Sequence, residues 1–353
     1  MTNFSDRIIL LNMAIYGKKQ INIREDNKSA VVDILLQQEA TMPQLAERLM
    51  LSHTALAKVM HELMQKNIVL CSEGKGTGSG RPPKVYEINA DCAMTCAVIL
   101  MQKSIDIYYV DMRGFQVNKR TAENDFSSLS ALLADVQEYI GTLKEHPRLK
   151  DRVLKYIYIG LPTARFYGMD FCESCREVSL SFSERFPGIR NVVRRNVDYA
   201  MVAESKYGVL KNNCRNAVLL NLDEYLCASF LLNGSIYDGD RWMQGYDSAQ
   251  NFPGLRALRA QAAGGGFGVL ERDAAFGAML EWLGGVLRFM DIGRVVLGGS
   301  AKVWGEELLR LVSEKFGGRC RAEFSTMGRE VPPPLSGAVW LSTYSTLQDM
   351  MLR

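Results

Sequence analysis

The sequence has little of what marks a membrane-spanning, secreted or metal-binding protein. No uninterrupted apolar run approaches the roughly 20 residues that span a bilayer, and the N-terminal stretch, with Asp6 inside a broken apolar run, does not resemble a signal peptide. The eight cysteines are scattered over 353 residues, which does not suggest a disulfide framework. Only three histidines occur, His53, His61 and His146. We therefore expect a cytoplasmic protein with no membrane partner.

A strong charge of either sign is also lacking. The formal net charge is +3 at pH 7, and residues 1–90 contain 11 Lys and Arg against 9 Asp and Glu. The surface as a whole is not built for nucleic acid, so any such role must come from a local patch. Hydrophobic residues make up 47% of the chain, which is enough for sizeable cores, and the length predicts two or three domains.

Two short helices are predicted between positions 27 and 70 by their hydrophobic period. Leu45 and Leu49 share one face of the first helix. The second, longer helix has an apolar stripe of Leu56, Met60, Leu63 and Met64. Ser52 is a favourable N-cap residue for that helix, although no glycine marks the link at Met50–Leu51. This pair predicts a helix-turn-helix.

The opposite face of the second helix presents short or basic side chains near the helix start. They are His53, Thr54, Ala57, Lys58 and His61, with Ser52 at the cap. A recognition helix meets base edges and phosphates with residues of this kind. We therefore expect double-stranded operator DNA as a partner.

A basic, glycine-rich segment, GKGTGSGRPPK at 74–84, lies between two strand-like runs. A β-hairpin behind a helix-turn-helix is the layout of a winged helix. Its glycines permit close approach to a DNA backbone. In this interpretation Arg81 enters a narrow minor groove, while Lys75 and Lys84 meet phosphates. The alternative is a solvated hairpin loop whose charges have no role.

From about Cys92 onward, strand-like runs alternate with helical ones. NVVRRNVDYAMVAESKYG at 191–208 is predicted to form a strand, a turn and a helix, and a glycine turn follows the strand VVL at 295–297. This alternation is typical of an α/β nucleotide-binding fold. AAGGGFG at 262–268 lacks a preceding strand, so a flexible connection is favoured over a dinucleotide loop. The aromatic residues Trp242, Tyr246 and Trp282 are interpreted as core residues in preference to ligand-stacking groups.

Five segments, taken in order, resemble the ROK family (repressor, open reading frame, kinase). They are GRPPKVYEIN (80–89), IYIGLPTA (157–164), RNVDYAMVAESKYG (195–208), RVVLGGS (294–300) and SGAVWLSTY (336–344). The resemblance implies a winged helix-turn-helix at 1–88, followed at 89–353 by an α/β, actin-like (ribonuclease H-like) domain with two lobes. That domain would serve oligomerisation and possible effector binding, and the closing helix would pack on its first lobe.

The departures from this resemblance concern catalysis. AVILMQKS (97–104) stands where ROK kinases have an acidic, glycine-rich phosphate loop. Asn196 falls on the position of the carboxylate that takes the sugar proton, and an amide cannot act as that base. Asp223 and Glu224 occupy the second phosphate turn, where they would repel phosphate. Ala249 replaces the family's metal-ligand histidine. The resemblance therefore implies a catalytically inactive domain that needs no cofactor.

The remaining pocket and one cysteine pair allow two interpretations each. Arg195, Asn196, Asp198 and Tyr246 could line a ligand pocket suited to an acidic or aromatic-stacked molecule, or Arg195 and Asp198 could simply pair with each other. CESC at 172–175 has metal-type spacing but no second pair and no neighbouring histidine, so free thiols are favoured over zinc.

The sequence as a whole predicts a transcriptional regulator, with repression as the family's commoner outcome. Because a single small winged helix holds DNA weakly, we expect a homodimer or a dimer of dimers joined through residues 90–353. Two alternatives stay open. One is an active ROK sugar kinase with an N-terminal extension, and the other is a regulator controlled by a protein partner instead of a small molecule.

Overall fold

The computed structural model of the protein describes residues 20–74, 82–145, 149, 152–162, 166–211, 214–222, 226–237, 269–299, 305–328 and 331–352. The chain divides into two compact units, one formed by Met1–Cys92 with Tyr344–Arg353 and the other by Ala93–Thr343. Among the described helices, none is both long and apolar enough to cross a membrane.

Three helices and a small sheet build the first unit. The helices are α1 (Gln20–Gln37), α2 (Met42–Leu49) and α3 (His53–Gln65). The strands β1 (Ala40–Thr41), β2 (Val69–Glu73) and β3 (Lys84–Ile88) pair antiparallel in the order β1-β3-β2. Side chains from all three helices and from β3 are buried in the core: Val32, Leu35, Leu45, Leu56, Leu63 and Ile88. The predicted helix-turn-helix and the hairpin behind it are confirmed.

The link between α2 and α3 turns without a glycine. Met50 caps the end of α2 with a φ of 52°, in the left-handed region that favours glycine. Leu56, Met60 and Leu63 are buried as predicted, but Met64 is 37% exposed, so its assignment to the apolar stripe is wrong. Position 64 is turned by about 80° from position 56 on a helix of 3.6 residues per turn. Val59 fills the core face instead.

The second unit contains two five-stranded sheets. The first has the order β6-β5-β4-β7-β8 and comprises β4 (Met94–Leu100), β5 (Ser104–Asp111), β6 (Gln116–Glu123), β7 (Leu154–Leu161) and β8 (Arg190–Arg195). β4, β5 and β6 form antiparallel pairs, whereas β4, β7 and β8 run parallel. The helices α4 (Leu129–Lys144) and α5 (Phe171–Arg185) share an apolar core with this sheet.

The second sheet has the order β11-β10-β9-β12-β13. Its strands are β9 (Ala217–Leu222), β10 (Leu226–Leu232), β11 (Ser235–Ile236), β12 (Arg294–Gly299) and β13 (Arg321–Phe324). β9, β12 and β13 are parallel, and β9, β10 and β11 are antiparallel. Two helices, α7 (Val269–Phe289) and α8 (Gly305–Phe316), pack against it through a second apolar core.

One helix, α6 (Asn196–Lys206), lies between the two sheets, and every residue from Asn196 to Glu204 is buried. Val197 and Met201 pack with residues of β9 and β12. Tyr199 packs with residues of β4 and β7. In a helix that is enclosed on all sides, the side chains around the whole circumference are apolar or have hydrogen-bond partners inside the protein. The sequence predicted a turn between strand and helix here, which is wrong because β8 runs straight into α6.

The last helix, α9 (Pro333–Leu352), begins in the second unit. Leu335 and Ala338 join the apolar cluster of β4 and β7, which confirms the predicted packing on the first lobe. Gly337 allows this approach, because a Cβ there would collide with the carbonyl oxygen of Tyr199. From Tyr344 onward the helix belongs to the first unit.

Candidate functional site

The exposed face of α3 carries the side chains that the sequence assigned to DNA. His53, Thr54, Ala57, Lys58 and His61 are all exposed and form what we call the α3 stripe. The opposite face of the same helix is buried in the core. Ser52 caps the helix, its Oγ accepting a hydrogen bond from the backbone N–H of Ala55 at 3.3 Å. The stripe is therefore exposed on a capped helix whose opposite face is fixed in the core.

The predicted wing is a regular antiparallel hairpin as far as it is described. Pairing runs from Val69 with Ile88 to Glu73 with Lys84, and the N–H of Gly74 donates to the carbonyl of Pro83 at 2.8 Å. Lys84 is exposed at the end of this ladder. Lys75 and Arg81 lie outside the described residues.

A buried ionic cluster, which sequence reasoning missed, ties α3 to α1. Lys28 is only 4% exposed. Its Nζ lies 2.6 Å from a carboxylate oxygen of Glu25 and 3.5 Å from one of Glu62, and Arg24 also pairs with Glu62. Because a buried ammonium needs partners, these carboxylates compensate for its lost hydration. The i,i+3 spacing of Glu25 and Lys28 was the only signal in the sequence.

The end of α9 supplies a second support for α3 inside the first unit. Nζ of Lys66, the C-cap residue of α3, donates to the backbone carbonyl of Met351 at 2.6 Å. Tyr344 hydrogen-bonds Ser29 of α1, and burial raises the pKa of its phenol. The sequence could not reveal these contacts, because Lys66 and Met351 are 285 positions apart.

At the start of α6, Arg195 and Asp198 form a buried, two-pronged ion pair. Nε and Nη2 of Arg195 donate to the two carboxylate oxygens of Asp198 at 2.7 and 2.6 Å. Oγ of Ser229 donates to the same carboxylate at 2.8 Å, and Nη1 of Arg195 donates to the Ala228 carbonyl at 3.3 Å. This geometry matches the alternative in which Arg195 and Asp198 pair with each other.

Asn196 follows as the first residue of α6, and it is 8% exposed. Its Nδ2 donates to the carbonyl of Leu100 and to Sδ of Met101, both at 3.0 Å. Its Oδ1 has no hydrogen-bond partner among the described residues. This oxygen lies against Gly160, where a Cβ would collide with it. The Asn196 amide therefore binds the end of β4 and the start of the β4–β5 turn through Nδ2. Its Oδ1 is left as an acceptor without a partner among the described residues.

The segment that the family resemblance places at the phosphate loop forms a tight β-hairpin. AVILMQKS spans the end of β4, the turn and the start of β5, and the N–H of Met101 donates to the Ser104 carbonyl at 2.9 Å. Nδ2 of Asn124 donates to the Met101 carbonyl at 3.0 Å. The N–H of Met101 and the carbonyls of Met101, Lys103 and Ser104 are thus used within the protein, whereas a phosphate loop offers its N–H groups to an anion.

The predicted glycine turn lies at the carboxyl end of β12. Gly298 is buried, and a Cβ there would come within 3.1 Å of Oδ1 of Asn221. Gly299 has a φ of 64°, which a glycine adopts easily. Four residues of other predicted features lie outside the described residues: Asp223 and Glu224 of the second phosphate turn, Tyr246 of the possible ligand pocket, and Ala249 at the metal-ligand position.

The CESC pair lies in the first turns of α5, and both of its cysteines are free. Burial raises the pKa of the Cys175 thiol to about 12, which disfavours the thiolate that metals bind. Within the described parts of the chain, no three His, Cys, Asp or Glu side chains are grouped as metal ligands.

Known proteins resemble this chain in structure and not in sequence. No family model and no curated protein sequence matches it. A ROK family transcriptional regulator, described as a homologue of the Escherichia coli Mlc protein, superposes with a TM-score of 0.64 at 13% identity and covers 94% of this chain and 99% of its own. The ROK hexokinase of Thermus thermophilus has a TM-score of 0.53 at 16% identity, covering 72% of this chain and 99% of its own.

The chain shares its fold with these two ROK proteins. The predicted fold class, an α/β protein with a two-lobed, actin-like domain behind a winged helix, is thereby confirmed. The two known structures differ in how much of this chain they match. The ROK regulator matches nearly the whole chain, whereas the ROK hexokinase matches a share close to that of the second unit alone.

Proposed function

We propose that the protein is a cytoplasmic, DNA-binding transcriptional regulator, in the first place a repressor, with a kinase-like domain that does not phosphorylate sugars. The winged helix at 1–88 binds operator DNA, and 89–353 forms the ROK domain. The α3 stripe carries this proposal, because short and basic side chains are exposed together on a capped helix beside a hairpin. A helix of this form presents its N-terminal residues to the major groove.

The similarity to known proteins supports the same assignment. The matching ROK regulator is described as a transcriptional regulator, and its match extends over the first unit as well as the second. We transfer that role to this chain as part of the proposal. The DNA contacts we assign are the α3 stripe with Ser52 and, on the hairpin, Lys75, Arg81 and Lys84.

The absence of kinase activity is argued from the residues around α6. Phosphoryl transfer to a sugar needs a carboxylate that accepts the hydroxyl proton and loops that hold the nucleotide phosphates. Here Asn196 offers an amide, and its Nδ2 is already bound to Leu100 and Met101. The neighbouring carboxylate of Asp198 is neutralised by Arg195. Loss of the base alone typically costs about 10²–10⁴-fold in rate.

We place a small-molecule effector contact of the second unit at Asn196. Its Oδ1 is a buried acceptor without a partner among the described residues, and a buried acceptor gains from a donor. Arg195 and Asp198 have each other as partners, so in this proposal they shape the pocket without contacting the effector. Tyr246 completes the proposed pocket.

Selection from a random pool of double-stranded DNA tests the proposal. The purified full chain should enrich a palindromic sequence, which fluorescence anisotropy then uses as the probe. Arg81→Ala should weaken binding by about 1–3 kcal/mol, as expected for a side chain inserted in a groove. Lys103→Ala, at an exposed position in the β4–β5 turn, is the matched control and should bind like the parent protein. If no sequence is enriched, the assignment to DNA fails.

The assembly part of the proposal is tested by sedimentation of the full chain. A palindromic operator read by two winged helices requires at least a homodimer, and a dimer of dimers would also satisfy it. A clean monomer at micromolar concentration, with and without operator DNA, would contradict this part.

An active sugar kinase is the second candidate, favoured by the similarity of the second unit to the ROK hexokinase. Incubation with ATP, Mg²⁺ and a panel of hexoses distinguishes the two. We expect no ADP above a control without protein. Turnover that is lost in Asp198→Asn would show that Asp198 serves as the base and would replace our proposal for this unit.

A further inference from the structure

The aromatic side chain of Phe289 is exposed at the end of α7, near the amino end of β12 in the second sheet. Phe289 is 89% exposed, more than any other aromatic residue in the described parts of the chain. Its neighbours Leu287 and Ile292 are buried, so the ring projects from a well-packed base. Residues 287–292 and Arg319 border a groove of about 570 Å³. We call Phe289, the groove and its charged rim the Phe289 patch.

The rim of the patch has a net positive charge. Arg288, Asp291 and Arg319 are exposed beside the groove. Among the contacts of the described residues, neither arginine forms an ion pair, with Asp291 or with any other carboxylate. The patch therefore offers two guanidinium groups whose donors have no partner among the described residues, next to one carboxylate.

A second exposed phenylalanine in the same unit differs from Phe289 because a cation lies over its ring. Phe115 is 61% exposed, but the guanidinium of Arg113 stacks over its ring at 5.3 Å from the centroid. Within the described part of the chain, no cation covers the ring of Phe289 in this way. Large exposed apolar groups on soluble proteins mark interaction sites. The ring of Phe289 is therefore a candidate interaction site, whereas the ring of Phe115 already has a partner within the protein.

The topology separates the patch from the kinase-like pocket. Residues 290–293 connect α7 to the amino end of β12, and Arg319 connects α8 to the amino end of the parallel strand β13. The glycine turn lies at the opposite, carboxyl end of β12. A strand of six residues rises about 17 Å between its ends. A ligand in the predicted pocket and a molecule on the patch would therefore bind at opposite ends of the strands of the second sheet.

We propose that the Phe289 patch docks an acidic segment of a partner protein. An apolar side chain of that segment packs on Phe289 over the groove, and carboxylates beside it accept hydrogen bonds from Arg288 and Arg319. Aromatic residues and arginine are enriched where protein interfaces concentrate their binding energy. Arginine also binds carboxylates with two parallel hydrogen bonds, which a lysine cannot do.

A second copy of this chain is a poorer occupant of the patch. A two-fold contact places the same surface against itself, which would bring Arg288 and Arg319 of one copy towards those of the other. Like charges in an interface disfavour association. An acidic segment meets the net positive charge of the rim directly. This inference concerns control by a protein and does not depend on the proposed binding of DNA.

Selection of random peptides displayed on phage tests the proposal with the full-length protein as bait. We expect the enriched peptides to place Asp or Glu next to a large apolar residue. Fluorescence anisotropy with the leading peptide should show at least tenfold weaker binding to Phe289→Ala. Phe115→Ala is the matched control, and its binding should equal that of the parent protein. Binding should also weaken with salt, because exposed charge pairs are screened.

A charge exchange makes the test specific to the two arginines. The double variant Arg288→Glu, Arg319→Glu should lose at least tenfold in affinity for the acidic peptide, and the same peptide with Lys in place of its acidic residues should bind this variant better than the parent. Each variant is also compared with the parent protein by circular dichroism and sedimentation.

Three results would overturn the proposal. The first is a selection without acidic enrichment. The second is equal binding of the leading peptide to Phe289→Ala and to the parent protein. The third is a change of association state in Phe289→Ala, which would assign the patch to contacts between copies of this chain.

Discussion

The α3 stripe and the start of α6 contain similar kinds of side chain in opposite environments. On α3, Lys58 and His61 are exposed. On α6, Asn196 and Asp198 are buried, and Asp198 is paired with Arg195. The polar side chains at the start of α3 are thus exposed, whereas those at the start of α6 have partners within the protein, apart from Oδ1 of Asn196, which has none among the described residues. In our proposal the start of α3 recognises DNA, whereas at the start of α6 only Oδ1 of Asn196 is left for a small molecule.

The largest effect is expected for Asp198→Ala. The substitution leaves the guanidinium of Arg195 buried without its partner and removes an acceptor from Ser229. Breaking a buried ion pair on one side typically costs about 3–5 kcal/mol. Denaturant unfolding should show a loss of this size in the second unit. The double variant Arg195→Met, Asp198→Leu is the control, and it should recover most of the loss because no charge is left unpaired.

Asn196→Asp tests whether a carboxylate at this position restores a kinase. The substitution removes the amide donor to Leu100 and Met101 and turns a carboxylate oxygen towards the Leu100 carbonyl. We expect destabilisation by about 1–3 kcal/mol and no ADP formation. ADP formation with a hexose would contradict the account of α6 as a structural helix.

The same variant has a predictable pH dependence. Burial should raise the pKa of the new carboxyl above its value in the unfolded chain. The folded state then binds more protons than the unfolded state, so stability should fall as the pH rises through the folded-state pKa. Unfolding at pH 5 and pH 8 measures this, with the parent protein as the control. A larger loss at pH 5 than at pH 8 would contradict the reasoning.

Lys66→Met examines the support of α3 by the C-terminal segment. The variant loses the charged hydrogen bond to the Met351 carbonyl, and we expect the first unit to lose about 1–2 kcal/mol. Hydrogen exchange followed by mass spectrometry should show reduced protection in residues 344–352. Lys66→Arg, which keeps a donor, should retain most of the protection. Unchanged protection in the methionine variant would show that the contact contributes little.

Met50→Gly should stabilise the first unit slightly. Met50 adopts a left-handed conformation and is 91% exposed, so a glycine relieves strain without losing packing. We expect a gain of about 0.5–1 kcal/mol in thermal or denaturant unfolding. Met50→Ala, which keeps the strain, should show no gain. DNA binding should be unchanged in both variants.

The smallest effect on stability is expected for Lys58→Ala. Lys58 is exposed, and an exposed substitution away from caps and core usually changes stability by less than about 0.5 kcal/mol. Binding to selected DNA should nevertheless weaken for every sequence, and the dependence on salt should become shallower by about one counterion. A folding defect as large as that of Asp198→Ala would remove the contrast between the two helices.

Local patterns in the sequence were sufficient for most elements of the fold. Leu56, Met60 and Leu63 repeat at helical spacing and were placed correctly, whereas the assignment of Met64 to the core was wrong because position 64 is turned by about 80° from position 56 on the helix. The strand before Asn196 and the helix after it were both predicted. The turn between them was not real, since Arg195 caps the helix directly from the end of β8.

The sequence by itself determined the helix-turn-helix, the hairpin, the order of strands and helices, and the presence of an amide at position 196, because each depends on residue type and short-range spacing. Only the tertiary structure decided which polar groups were already satisfied. The burial of Lys28 beside Glu62, the pairing of Asp198 with Ser229 and the contact of Lys66 with Met351 join residues between 31 and 285 positions apart. Such contacts follow from the packing of the chain and leave no periodic signal in the sequence. The fold therefore decides whether a polar side chain is exposed to a binding partner or already hydrogen-bonded within the protein.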